Sequence, residues 1–176
     1  MRTSVATAVS LLLATGFNLS ATAFTADGYK SGMSRAEVTT IASGRSLEIW
    51  DVAEGVIALG IRSDFRIDGT ITFCESRLYA YNRNIDFDAD YVQTLQRFLS
   101  EYGQPARVFT GEQPWSGPGS GYVRSAQMSW WKGDDRVSLT VVPEGRDGKG
   151  MLRHNRNANV SFLARSKCSF DQFSKP

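Results

Sequence analysis

Apolar positions along the chain follow two rhythms. Val38, Ile41 and Ala42 recur at helical spacing behind Met33-Ser34-Arg35-Ala36-Glu37, where Ser34 is placed to cap, Glu37 to reach back to its N–H, and Met33 to pack on Val38. A helix of about ten residues beginning at Ser34 follows, with Gly44 placed to end it in the left-handed conformation. The period then drops to two. Strand-like runs occupy 47–52, 56–62, 70–75 and 78–82, punctuated by Glu54-Gly55, Asp68-Gly69 and Glu75-Ser76-Arg77. Ile57, Leu59 and Ile61 share one face, Ile71 and Phe73 do likewise, and Tyr79 and Tyr81 are set opposite Leu78 and Ala80.

Helical spacing returns at Tyr91, Leu95, Phe98, Leu99 and Tyr102, capped by Asp86 or Asp88 and stopped by Gly103 and Pro105. A short strand over 107–110, a Gly/Pro/Ser-rich loop over 111–121, strands over 123–131 and 137–142, a loop over 143–150 and a last strand over 159–165 complete the pattern. The order is helix then meander, twice, in pseudo-repeat halves 29–83 and 84–170 of one domain, 24–176. That order predicts an α+β fold, an antiparallel sheet with helices packed on one face.

The first 23 residues read as an address. Arg2 gives a basic start, Val5 to Ala14 an apolar stretch, and Ala21-Thr22-Ala23 a small-residue cleavage site. About ten apolar residues are half of what a spanning helix needs, so the segment predicts a signal peptide cleaved before Phe24 and a periplasmic or secreted product with no transmembrane segment. Cys74 and Cys168 are the only cysteines. In an oxidising compartment they pair economically as one disulfide closing a long loop. Residues 24–176 carry 19 basic and 18 acidic side chains, a balance that argues against nucleic acid as a partner. The signs are uneven, with 9 Lys/Arg against 13 Asp/Glu over 24–123 and 10 against 5 over 124–176; the basic C-terminal third reads first as a solvated mixed-charge face, with an acidic partner surface or lipid headgroups as the alternatives.

Gly32-Met33-Ser34-Arg35-Ala36-Glu37-Val38, followed after two strands by Phe73-Cys74-Glu75-Ser76-Arg77-Leu78, resembles the opening of small exported envelope proteins of the outer-membrane assembly lipoprotein type. The tandem helix-plus-meander layout is similar to that of the β-lactamase inhibitory protein type. The resemblance covers about 50 residues. It implies a small envelope protein of tandem helix-plus-meander layout, and no inhibitory residues are carried over from it. The chain departs from it in having no Cys near the cleavage point to accept a lipid anchor, and in having its single cysteine pair placed to link the halves rather than close within each.

Candidate chemistry is sparse. Asp86-Phe87-Asp88-Ala89-Asp90 imitates the start of a calcium loop, but Tyr91 and Arg97 replace the Gly and the bidentate Glu that such a loop requires; the carboxylates read as helix capping. His154 is the one histidine, set among Arg153 and Arg156. Gly117-Pro118-Gly119-Ser120-Gly121 lacks the Lys and the following helix of a phosphate cradle. No metal site, cofactor or catalytic residue is expected. Aromatics offer the positive signal: Trp130 and Trp131 must point to opposite sheet faces, and Trp115 and Tyr122 flank the glycine-rich loop. Trp115, Tyr122 and one of Trp130 or Trp131 are the candidate anchors for a protein partner in the cell envelope. The alternatives are a small periplasmic hydrolase using Asp134, Asp135 or His154, and a carrier of an apolar ligand.

Overall fold

The computed structural model describes residues 24–114, 122–146, 152–154 and 156–172. The expected signal peptide, Trp115 and the Gly117–Gly121 run lie outside the described residues. A small hairpin, β1 (Thr25–Ala26) and β2 (Tyr29–Lys30), turns at Asp27-Gly28, both at positive φ. Then come α1 (Arg35–Gly44) and a meander of β3 (Glu48–Ala53), β4 (Val56–Ile61), β5 (Arg66–Cys74) and β6 (Arg77–Ile85). The second unit is α2 (Tyr91–Tyr102), β7 (Arg107–Pro114), β8 (Tyr122–Lys132) and β9 (Asp135–Val142), a short pair β10 (Gly145–Arg146) and β11 (Leu152–His154), and β12 (Asn157–Leu163). A 3-10 turn over Lys167–Gln172 follows.

Eight strands form one antiparallel sheet in the order β3-β4-β5-β6-β12-β9-β8-β7. The last strand of each unit meets the other at the centre. There Tyr81 stands opposite Phe162, and Arg83 opposite Val160. Both helices pack on one face, because Val38 and Ala42 of α1 and Phe98 of α2 belong to the same buried cluster as Ile57, Ile71, Leu139 and Val160. The architecture is the expected α+β class. The two units share one core: Tyr29 contacts Tyr81 at 5.0 Å between ring centroids, Tyr81 contacts Phe162 at 6.1 Å, Phe162 contacts Phe98 at 6.4 Å, and Phe98 contacts Trp130 at 5.5 Å.

The start of α1 matches its sequence. The Ser34 hydroxyl accepts from the Glu37 N–H and the Glu37 carboxylate accepts from the Ser34 N–H at 2.8 Å, while Met33 and Val38 both pack into the core. Its end differs. Gly44 is still helical, and the left-handed residue is Ser46, φ 57°. For α2, Asp86 does not cap the helix itself. Its carboxylate accepts the N–H groups of Asp88 and Ala89, closing the turn that leads into Asp90, the residue before the helix. Gly103, φ 77°, ends α2 as expected, its N–H donating to the Leu99 carbonyl.

Asp68-Gly69 is no turn. It lies inside β5, where a side chain on Gly69 would meet the Asn82 carbonyl oxygen at 2.4 Å. The reversal comes earlier, at Arg62–Phe65, with Phe65 left-handed at φ 52°. A bulge in the β5–β6 ladder also breaks the alternation in β6: Phe73 pairs with Leu78 and Thr72 with Ala80, so Tyr79 is the extra residue. Leu78 and Tyr81 consequently both enter the helix-side core, and the expected opposition of Tyr79 and Tyr81 to Leu78 does not hold.

Cys74, at the end of β5, and Cys168, in the terminal 3-10 turn, form a disulfide with Cα atoms 5.9 Å apart and a sequence separation of 94. It ties the first unit to the second. Among the described residues no helix is long and apolar enough to cross a membrane.

Candidate binding face

Alternation along the strands leaves the side of the sheet opposite the helices with a different chemistry from the core. Thr70, Asn82, Ser161, Ser138 and Ser129 fall in one register row across five neighbouring strands. The Asn82 amide donates to the Thr70 hydroxyl at 3.3 Å, the Ser161 hydroxyl donates to the Asn82 carbonyl, and the Ser129 and Ser138 hydroxyls lie 2.9 Å apart. Beside this row the Gln127 amide donates to the Thr140 hydroxyl at 3.2 Å. Small neutral polar groups thus satisfy one another along the row, with Thr70, Asn82 and Ser161 half-buried and Ser129 and Ser138 buried, and the centre of this face carries little charge.

Aromatics rim this surface. Trp50, paired with Ala58 on β4, stands at the β3 edge, and Phe109 at the β7 edge is 52% exposed. Trp131 lies opposite Arg136, one step along from the serine pair, and Arg107 pairs with Ser129 from the edge strand. Burial, followed by repulsion from Arg107, pulls the Arg136 guanidinium below its ordinary pKa. The Trp131 indole N–H is buried with no hydrogen-bond acceptor among the described residues, although the residue as a whole is partly exposed. The patch is cationic and aromatic.

The candidate residues separate accordingly. Trp131 turns to the open face. Trp130, 1% exposed, turns to the core, packs edge-on against Phe98 and donates its N–H to the Gly103 carbonyl at 2.9 Å. As a surface anchor Trp130 is therefore corrected to a core residue, since a strand cannot present two successive side chains to the same side. Tyr122 opens β8, paired with Pro114, and the expected anchor Trp115 lies outside the described residues.

The carboxylates considered for catalysis also diverge. Asp134 is exposed and accepts from Arg165 at 3.3 Å. Asp135 is 6% exposed, and burial, with the neighbouring Asp134 charge, pushes its pKa up to about 6. His154 lies in β11. Asp88, from the calcium-like run, pairs with Arg156 at 2.7 Å.

Sequence reasoning missed Trp50, Phe109, Arg107 and Arg136. Period two in β3 sets Ile49 inward and Trp50 outward, which was a usable signal. The adjacency of Arg107, Trp131 and Arg136 requires the register of three strands, and no local pattern carries it. No family model, curated protein or solved structure matches the chain.

Proposed function

We propose that this is an exported, non-enzymatic binding protein of the periplasm or extracellular space, and that its open sheet face engages an acidic surface on another envelope or secreted protein. The observation that carries this reading is Trp131, set on the open face beside Arg136 and Arg107. Tryptophan and arginine are the residue types that concentrate binding energy at protein interfaces, and an apolar ring flanked by guanidinium groups suits a carboxylate-bearing partner. The half-buried Thr70, Asn82 and Ser161 on the same face desolvate at lower cost than charged groups, and Trp50 and Phe109 supply apolar rims.

Export is supported by the Ala21-Thr22-Ala23 leader pattern in the sequence and by the Cys74–Cys168 pairing, which persists in oxidising compartments. The twice-repeated helix-then-meander order agrees with the layout implied by the resemblance of residues 32–38 and 73–78 to small exported envelope proteins.

The test is in-cell crosslinking of the wild-type chain beside Trp131→Ala, Arg107→Glu and Phe65→Ala, with the captured species compared by mass. A species lost in the first two variants and kept in the third supports the open face. Identical capture by all four chains overturns it. Leader-bearing protein with two free thiols, recovered from the cytosol, overturns export.

A further inference from the structure

On the helix side, Gly69 leaves a gap. The register row beneath the end of α1 places Leu59 and Arg83 on either side of it, and the close approach of the Asn82 carbonyl bars any larger residue from filling the space. The gap opens into a cavity of about 200 Å³, walled by Leu47 and Leu59 and lined also by Arg45, Asp68, Tyr81, Arg83 and Asn84. That is below the ~300 Å³ at which drug-sized pockets begin and equals roughly six to seven waters of liquid volume.

Its electrostatics favour an anion. Arg83 donates from Nη1 to the Asp27 carboxylate at 3.2 Å, but its Nε is buried with no acceptor among the described residues. Arg45 donates to the Asp27 main-chain carbonyl at 3.2 Å and lies over the Tyr29 ring. The Asp27 carboxylate also accepts the Tyr81 hydroxyl at 2.9 Å, and the Asp68 carboxylate is held by Arg66 at 2.9 Å. The space with its two leucine walls is thus faced by two guanidinium groups, Arg45 and Arg83, and one carboxylate, Asp68, which Arg66 holds from outside the lining, while Asp27, also outside it, pairs with Arg83.

We propose that this cavity binds a small organic carboxylate with a short apolar chain, its carboxylate meeting Arg83 and Arg45 and its chain lying on Leu47 and Leu59. Planar guanidinium forks match a planar carboxylate, and an inorganic anion would leave the leucine walls wet. This site lies on the opposite side of the sheet from the aromatic face and does not depend on the function proposed for that face.

The probes are sodium valerate, acetate, valeramide and inorganic phosphate, titrated into the purified full chain with amide chemical shifts as the readout. Valerate is expected to give saturable shifts at Leu59, Gly69 and Arg83, with valeramide and acetate each weaker by about tenfold, the loss of one charge-assisted contact or of a buried chain. Arg45→Gln is expected to weaken valerate by a similar factor while the far-UV spectrum stays native. Absence of saturable shifts with valerate, equal binding of valeramide, or phosphate binding as tightly as valerate each overturns the proposal. If Arg45→Gln does not fold, the comparison of the four probes on the wild-type chain decides by the same criteria.

Discussion

Tyr81 of the first unit and Phe162 of the second stand directly opposite each other on β6 and β12, their rings within 12° of parallel and 6.1 Å apart. Each also reaches into its own unit, Tyr81 to Tyr29 and Phe162 to Phe98. The contact joins the two halves in one buried core.

Phe162→Ala is expected to cost about 3–5 kcal/mol, the range for truncating a buried aromatic. Far-UV dichroism and tryptophan fluorescence are expected to report one coincident unfolding transition in both wild type and variant. Two separated transitions would show that the halves fold independently.

The disulfide closes a loop long enough that the chain-entropy model assigns it about 4–5 kcal/mol, with about 2–5 kcal/mol the usual loss on removal. A Cys74→Ala, Cys168→Ala double variant is therefore expected to unfold at markedly lower denaturant concentration than the oxidised wild type. A midpoint unchanged from the oxidised protein would mean that the bond constrains little.

Asp135 predicts a pH dependence. Its folded pKa, pushed up to about 6, exceeds the ordinary aspartate value, so the native state holds the proton more tightly than the unfolded chain. Its contribution to stability is present below about pH 4 and is lost as pH rises through about 6. Asp135→Asn is expected to be more stable than wild type at pH 8 by about 1 kcal/mol, allowing for solvent screening, and the difference is expected to vanish near pH 4. Urea melts at the two pH values check this. A benefit that grows toward low pH would refute the assignment.

Phe65 is 92% exposed at φ 52°, a conformation costly for a bulky side chain with no visible packing return. Phe65→Gly is expected to raise stability by up to about 1 kcal/mol, measured as a higher thermal midpoint. A drop in the midpoint would show that the ring makes contacts worth more than the strain.

How far the fold was legible depends on the range of the interactions that set it. The Ser34–Glu37 capping box and the Gly103 stop are local, and both were readable. The Glu75-Ser76 turn was readable too, although both its central residues are at positive φ, 49° and 63°, without the usual glycine or asparagine. The Tyr79 bulge inverts a face by one residue, and Gly69 serves a close approach in mid-strand rather than a turn; neither leaves a local trace. The opposition of Trp130 and Trp131 followed from strand geometry alone, but which of them faces outward depended on where α2 packs. The Arg107–Trp131–Arg136 patch is a product of register and was beyond reach.

The Asp86–Asp90 turn is where the chain passes from the first unit to the second, and Cys74 and Cys168 lie on either side of it. A protease that severs the turn therefore leaves two pieces still joined through sulfur and through the shared strand pair. On a gel the nick stays silent under oxidising conditions and appears as two bands once a thiol reagent is added.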